Sequence, residues 1–161
     1  MNHDHHYETH VVWSGPPQGP TISYSAYARD YTVETAGKPM LHLSADAAFF
    51  GREELYNPEY LLLASLSGCH LLTYLAVASR AGLHIAAYED HASGTMVQSG
   101  KGGHFSEVVL RPNVTIVAGY DLAFARDLHD AAHHNFISAS MNFPIRLEPE
   151  THHAELLHQV W

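Results

Sequence analysis

The N-terminal third of the chain carries short runs rich in β-branched and aromatic residues, separated by segments that favour turns. The runs are HVVWS, TISYSAY, DYTVET and MLHLSA, and the segments between them include GPPQGP and AGKP. Clusters of glycine and proline turn the chain between strands. The pattern therefore predicts a meander of three β-strands before residue 57.

The pattern changes to that of a long helix at Asn57. Asn57 can cap a helix, Pro58 suits its first position, Glu59 favours its positive end, and Gly82 can terminate it. Residues 60–79 contain no acidic or basic side chain apart from His70. The segment is apolar around more of its circumference than one sheet can cover, yet too polar for a lipid-facing span. We expect a helix buried in a core or an interface.

The remainder of the chain predicts more strands and a second helix. Two β-rich runs, HIAAYEDHASGTMVQ and HFSEVVLRPNVTIVA, are joined by SGKGG, whose glycines permit a hairpin turn. A helix is predicted from Asp121 to about His134, followed by an extended segment, FPIRLEP, and a tail, residues 150–161, that is either irregular or a short helix. The prediction is a single α+β domain over residues 1–161, with a flexible, histidine-rich stretch at residues 1–10.

Composition and charge limit the partners. Eight Lys and Arg against 17 Asp and Glu give a formal charge of −9, and no basic stripe offsets it. This argues against nucleic acid or an anionic membrane as partner, and favours a small or neutral ligand. The chain has one cysteine and starts without the basic and apolar regions of a signal peptide. We therefore expect a cytoplasmic protein.

The single cysteine, Cys69, lies in the middle of the long predicted helix. A buried cysteine is usually an inert apolar residue. A reactive one must be a thiolate, which burial disfavours unless a cation faces it. The helix dipole is too remote, because 12 residues separate Asn57 from Cys69, roughly 18 Å of helix. The adjacent His70 points about 100° away from Cys69 and is interpreted as a buried, hydrogen-bonding histidine.

Histidines elsewhere offer weak metal-binding signals. His129 and His133 share a helical face, but the segment lacks the glutamate of the zinc-protease motif and a third ligand is not evident. No metal or cofactor is expected.

Several segments, in order, resemble the OsmC/Ohr family of thiol peroxidases. They are YARDYTVE, NPEYLLLASLSGCHLLTYL, AGLHIAAYEDHASGTM, FSEVVLRPNVTI and FISASMNFPI, and they span roughly residues 24–149. The resemblance implies an α+β fold with antiparallel sheets and two main helices. It also implies an intertwined homodimer around the long central helices, with a site at each end of the subunit interface. It makes Cys69 the residue that reduces organic hydroperoxides.

The resemblance also assigns the residues around the cysteine. It offers Arg29 as the cation, and Glu59 would hold Arg29 through paired hydrogen bonds. Arg52 is the alternative from its place in the chain, because it precedes the same helix, but its neighbours Glu53 and Glu54 indicate a solvated loop. Glu59 and Cys69 are ten residues apart, about 15 Å along one helix, so Arg29 and Glu59 are expected to serve the Cys69 of the partner chain. The family's second cysteine would precede Phe136, where this chain has Asn135. An internal disulfide step is therefore in doubt.

Two functions follow from these observations. The first is a one-cysteine peroxidase, in which Cys69 becomes a sulfenic acid and an external thiol or dithiol reduces it. The alternative is a non-catalytic dimer that binds or senses a small apolar ligand. In either case the predicted pocket wall is mostly apolar and suits alkyl or aryl groups. Its predicted members are Leu62, Leu66, Leu72, Phe49, Phe50, Asn135 and Phe136.

Overall fold

The structure is a computed structural model that describes residues 4–14, 21–100 and 102–155. The chain divides into two compact units, residues 1–61 and 62–161. The single domain over residues 1–161 stays a prediction. The elements are β1 His10–Trp13, β2 Tyr31–Glu34, β3 Leu41–Leu43, α1 Pro58–Arg80, β4 Ile85–Asp90, β5 Ser93–Ser99, β6 Gly102–Leu110, β7 Pro112–Ile116, α2 Leu122–His133, β8 Ile145–Leu147 and β9 Glu150–His153.

The first unit is built on the predicted meander. Strands β1, β2 and β3 pair antiparallel in chain order. The prediction of a strand at TISYSAY is wrong, because residues 23–27 form turns and bends. Carbonyls in this segment accept hydrogen bonds from the Arg29 side chain instead of from a neighbouring strand. Residues 4–9 form neither helix nor strand, and residues 1–3 lie outside the described residues.

Helix α1 begins and ends where the sequence indicates. The Asn57 Oδ1 accepts a hydrogen bond from the Tyr60 backbone N–H at 2.8 Å, which satisfies a free donor of the first turn. At the other end Gly82 has a φ of 73°, a left-handed conformation that glycine adopts without strain. Both end signals in the sequence are confirmed.

Only one narrow stripe of α1 is buried. Its members recur every fourth residue: Leu66, His70, Tyr74 and Ala78. Other apolar side chains of the helix are exposed, including Leu72 at 69%. Of the helices in the described residues, α1 is the one long and apolar enough to cross a membrane, judged by length and composition only, and just 22% of its most apolar stretch is buried. The described residues of the chain therefore leave most of this apolar surface uncovered.

The second unit contains two three-stranded sheets, with strand orders β4-β7-β9 and β5-β6-β8. The hairpin of β5 and β6 is antiparallel, as predicted. The pairs β6–β8 and β7–β9 are parallel, whereas the sequence predicted antiparallel sheets. The class, a mixed α+β fold with two main helices, is as predicted.

The C-terminal part of the chain differs from the prediction. Helix α2 has the predicted position, and the Asp121 carboxylate caps it by accepting from the Ala123 N–H at 2.7 Å. Residues 150–153 do not begin a helix but form β9, which pairs with β7. Residues 156–161 of the predicted tail lie outside the described part of the chain.

Two hydrophobic clusters form the core of the second unit. One brings the C-terminal half of α1 against β7 and α2, and its buried members are Tyr74, Ala78, Leu83, Val114, Ile116, Ala125 and Ala132. The other gathers half-buried side chains around the buried residues Leu66, Val108 and Leu110. The middle of α1, which carries Cys69, thus lies between the two clusters.

Candidate active site and its surroundings

Cys69 is a free, half-buried cysteine in the middle of α1. It is not part of the helix's buried stripe, whereas its neighbour His70 is. Adjacent helical side chains point about 100° apart, so the stripe turns Cys69 away from the centre of the core. A partly exposed thiol is open to small molecules, unlike a cysteine used only for packing.

The Arg29 guanidinium is held by aromatic rings and carbonyl groups of its own unit. Its central carbon lies 3.8 Å from the ring centroid of Tyr27, 4.8 Å from that of Tyr24 and 5.4 Å from that of Phe50. The same side chain donates to the carbonyls of Tyr24 and Tyr27. Cation–π contacts and these hydrogen bonds fix the plane of the guanidinium.

The predicted hydrogen-bonded pair of Arg29 and Glu59 is not formed among the described residues, because the Arg29 donors are bonded to the two carbonyls. Glu59 is half-buried in the first turn of α1, and its charge acts on another residue, Tyr31. Burial, and after it the negative charge of Glu59, raise the pKa of Tyr31. Arg29 and Glu59 belong to the first unit and Cys69 to the second, so their action on a common site stays a prediction.

The alternative cation, Arg52, is bound to carboxylates on the surface. Its guanidinium lies 2.6 Å from Glu54 and 3.3 Å from Asp30, and its side chain is 53% exposed. These hydrogen bonds, first the one to Glu54, raise the pKa of Arg52. The structure therefore places Arg52 in a solvated ion-pair network, as its acidic neighbours in the sequence indicate.

A cavity of about 640 Å³ lies beside Arg29 in the first unit. Its lining is mostly aromatic and apolar: Val11, Trp13, Thr21, Ser23, Tyr24, Tyr27, Ala28, Arg29 and Tyr31. The predicted wall residues Phe49 and Phe50 are not among these, although Phe50 contacts the ring of Tyr24 at 5.6 Å between centroids. This aromatic group was not predicted from the sequence, although the tyrosines on both sides of Arg29, Tyr24, Tyr27 and Tyr31, could have indicated it.

The pocket residues predicted in the second unit differ in their surroundings. Leu66 is completely buried against Val108 and Leu110, so its assignment to an open pocket wall is corrected to core packing. Leu62 packs half-buried on the same cluster. Leu72 and Phe136 are exposed at 69% and 84%.

Asn135 stands where the family's second cysteine is expected. It is buried just after α2, and both the nitrogen and the oxygen of its carboxamide form hydrogen bonds. Its Nδ2 donates to the Ala132 carbonyl at 3.0 Å, and its Oδ1 accepts from the Ser138 N–H at 3.0 Å. The carboxamide thus satisfies backbone groups that the helix end leaves free. Asn135 has a structural use that a thiol would not reproduce.

A buried pair of histidines joins the two helices. His70 Nε2 and His129 Nδ1 are 2.9 Å apart, and neither side chain is more than 1% exposed. The interpretation of His70 as a buried, hydrogen-bonding residue is confirmed, but the sequence did not identify its partner. Burial lowers the pKa of His70 to about 4 and that of His129 to about 3, so both rings are neutral near pH 7.

The histidine pair also changes the interpretation of the His129 and His133 spacing. His129 directs one ring nitrogen to His70 rather than towards His133, with which it was paired in sequence. Across residues 4–14, 21–100 and 102–155 there is no group of three or more His, Cys, Asp or Glu side chains able to hold a metal ion.

Comparison with known proteins identifies the family. Residues 51–150 match the family model of OsmC-like proteins. The chain therefore belongs to the OsmC-like family. No match was found among curated protein sequences.

Solved structures share the fold over nearly the whole chain. An OsmC-like protein of unknown function from Vibrio cholerae is 26% identical, with a TM-score of 0.82 over 91% of this chain and 99% of its own. An organic hydroperoxide resistance protein from Legionella pneumophila is 18% identical, with a TM-score of 0.65 over 92% and 99%. Another, from Elizabethkingia anophelis, is 18% identical, with a TM-score of 0.66 over 94% and 100%.

Proposed function

We propose that this protein reduces organic hydroperoxides through Cys69 and an external thiol, as part of an oxidative stress response. The observation that carries the proposal is the single free cysteine, half-buried on the central helix of an OsmC-like fold. Fold relatives described as organic hydroperoxide resistance proteins support the substrate class.

The proposed reaction uses one cysteine. The Cys69 thiolate attacks the outer oxygen of the hydroperoxide, the O–O bond breaks, and the alkoxide leaves as an alcohol after taking a proton. Cys69 is then a sulfenic acid. An external thiol attacks its sulfur, releasing water and forming a mixed disulfide, and a second thiol frees Cys69. One hydroperoxide and two thiols give one alcohol, one water and one disulfide, so no cofactor is required.

An external reductant is proposed because the chain carries no second thiol. The residue at the expected resolving position, Asn135, donates and accepts hydrogen bonds at the end of α2. A carboxamide forms no sulfur bond, so the sulfenic acid must persist until another molecule reduces it.

The catalytic unit in this proposal is a cytoplasmic homodimer, with Arg29 and Glu59 of one protomer serving Cys69 of the other. The exposed apolar surface of α1 supports this arrangement, since a second copy would remove it from water. Arg29 is already oriented by its rings and carbonyls, and it carries the charge that a thiolate needs. Closing the dimer would then complete the site.

The second candidate is a dimer that binds a small apolar ligand without turnover. The aromatic cavity beside Arg29 favours it, because tyrosines packed edge to face and a guanidinium form a binding surface whether or not a thiol reacts. Asn135 also favours it, since the usual disulfide step is missing.

Turnover separates the two candidates. Cumene hydroperoxide and hydrogen peroxide are each supplied with a dithiol reductant, and peroxide loss is compared between the wild-type protein and Cys69→Ser. The peroxidase proposal expects turnover that Cys69→Ser abolishes, and faster turnover of the organic peroxide because the proposed pocket wall is apolar. Equal background rates of peroxide loss in the two proteins would contradict the peroxidase function and favour the binding function.

A further inference from the structure

Three polar side chains of α1 form directed hydrogen bonds to other elements of the second unit. Ser67 donates to Asp90 on β4 at 2.5 Å, and His70 pairs with His129 on α2 at 2.9 Å. Tyr74 donates to the Ala125 carbonyl on α2 at 2.9 Å. The three positions lie three and four residues apart, which places them on one face of the helix. This polar face passes through the buried stripe of α1, next to Cys69.

The second of these three hydrogen bonds, between His70 and His129, is also supported by ring stacking. The His129 ring stacks on Tyr74 with 4.1 Å between centroids, and the His70 ring lies 5.2 Å from that of His129 at 10° between planes. The pair is therefore held on its faces as well as along its hydrogen bond. Apolar packing alone lets a helix slide and rotate, whereas a buried hydrogen bond fixes distance and direction.

The hydrogen bond of the pair joins two ring nitrogens of neutral imidazoles. One of the two facing nitrogens, His70 Nε2 or His129 Nδ1, therefore donates and the other accepts. The outer nitrogens, His70 Nδ1 and His129 Nε2, have no hydrogen-bond partner among the described residues. The other groups that face the pair are Asp90 from β4, Tyr74 from α1 and His133 from α2. A polar group that can donate or accept at the His129 Nδ1 position is thus what the pair requires.

We propose that the His70–His129 pair is a positioning element that sets the rotation of α1 and thereby aims the adjacent Cys69 at its peroxide. This inference rests on the proposed peroxidase function. Side-chain tips lie about 5–6 Å from a helix axis, so a rotation of α1 by about 10° about its axis moves the Cys69 sulfur by about 1 Å. A displacement of about 1 Å can lower a reaction rate by about 100-fold.

The test compares two replacements of His129 in the full-length protein. His129→Phe keeps a ring to stack on Tyr74 but can neither donate nor accept a hydrogen bond, whereas His129→Asn places a carboxamide, which can do either, near the former Nδ1. The exposed His84→Phe is the matched control. The single-turnover rate of Cys69 oxidation by cumene hydroperoxide is measured at pH 7.5 without reductant, together with the rate of Cys69 alkylation by iodoacetamide. Circular dichroism and sedimentation establish that each variant is folded and assembled like the wild type.

We expect His129→Phe to lower the oxidation rate by about 10- to 100-fold, with His129→Asn and His84→Phe within about threefold of wild type. A folded His129→Phe that reacts at the wild-type rate, or a His129→Asn that is as slow as His129→Phe, would overturn the proposal. If His129→Phe does not fold, His129→Asn and His70→Gln decide, since each keeps one hydrogen bond across the pair. A tenfold loss in either would then be the contradicting result.

Failure of the proposed function has a different signature. In that case wild-type Cys69 does not react with cumene hydroperoxide, while iodoacetamide still reports its exposure and orientation. An alkylation rate that differs at least threefold from wild type in His129→Phe and returns to the wild-type value in His129→Asn would support the positioning role without peroxidase activity. Equal alkylation in all proteins would refute it.

Discussion

The buried histidine pair makes the stability of this protein depend steeply on pH. In the folded protein the pKa values of His70 and His129 lie at about 4 and about 3, lowered from 6.5 chiefly by burial. The unfolded chain therefore binds more protons than the folded chain between pH 6.5 and about 4. Stability from the neutral pair is complete above pH 6.5 and is lost as pH falls towards the folded pKa values.

The size of the effect follows from the two lowered pKa values. Each histidine loses about 1.4 kcal/mol of stabilisation for each pH unit below its unfolded pKa, as long as it stays neutral in the folded state. From pH 6.5 to pH 5 this gives about 2 kcal/mol for each ring, or about 4 kcal/mol for the pair. Such a loss is a large share of the roughly 5–15 kcal/mol that stabilises a typical domain.

Urea unfolding at pH 7, 6 and 5 measures this dependence, at one protein concentration so that assembly does not change between samples. The double variant His70→Gln with His129→Asn retains a hydrogen bond between the two helices but has no titrating group at these two buried positions. We expect the wild-type free energy of unfolding to fall by about 4 kcal/mol over the range and that of the double variant to fall by less than about 1 kcal/mol.

The exposed His84→Gln is the control and should keep the wild-type slope. If the double variant loses stability with falling pH as steeply as the wild type, the buried pair is not the source of the dependence. The reasoning from burial to proton linkage would then be refuted.

Three further predictions concern the assembly and the thiol. The protein should sediment as a dimer at micromolar concentration, because α1 leaves apolar side chains such as Leu72 exposed; a monomer would rule this out. Arg29→Ala should slow alkylation of Cys69 at neutral pH by about tenfold. Arg52→Ala should leave the alkylation rate unchanged, because the Arg52 guanidinium is bound to carboxylates. A slower rate in Arg52→Ala and an unchanged rate in Arg29→Ala would make Arg52 the cation. Asn135→Cys should form a disulfide with Cys69 under hydroperoxide if the Cα atoms lie within about 7 Å; two free thiols after the treatment would contradict the disulfide step. The same variant should lose about 1–3 kcal/mol of stability, because the Ser138 N–H loses its acceptor.

Local signals in the sequence predicted the meander and both helices because each depends on neighbouring residues. Asn57 and Gly82 bound α1 through a hydrogen bond and a backbone angle that only adjacent residues influence. The parallel pairing of β7 with β9 joins Asn113 to Glu150, and no local pattern specifies a partner so far along the chain. The alternation in TISYSAY favours a strand, but Arg29 takes the carbonyls of Tyr24 and Tyr27.

The candidate site shows the same division between local and tertiary information. That His70 is buried could be predicted from the uncharged helix around it. Its pairing with His129 could not, because α2 is brought against α1 by the core cluster of Tyr74, Ala125 and Ala132. The carbonyl partners of Arg29 were missed for a related reason: they exist only once residues 23–27 have turned back around the guanidinium.

Mass spectrometry of the peptide that contains Cys69 tests whether this cysteine reacts with organic hydroperoxides. The protein is treated with cumene hydroperoxide, with and without a small thiol, and digested. We expect addition of one oxygen to the Cys69 peptide, then of two or three at higher peroxide, and a mixed disulfide when the thiol is present. A Cys69 peptide that stays unmodified in excess cumene hydroperoxide would contradict the proposed peroxidase function.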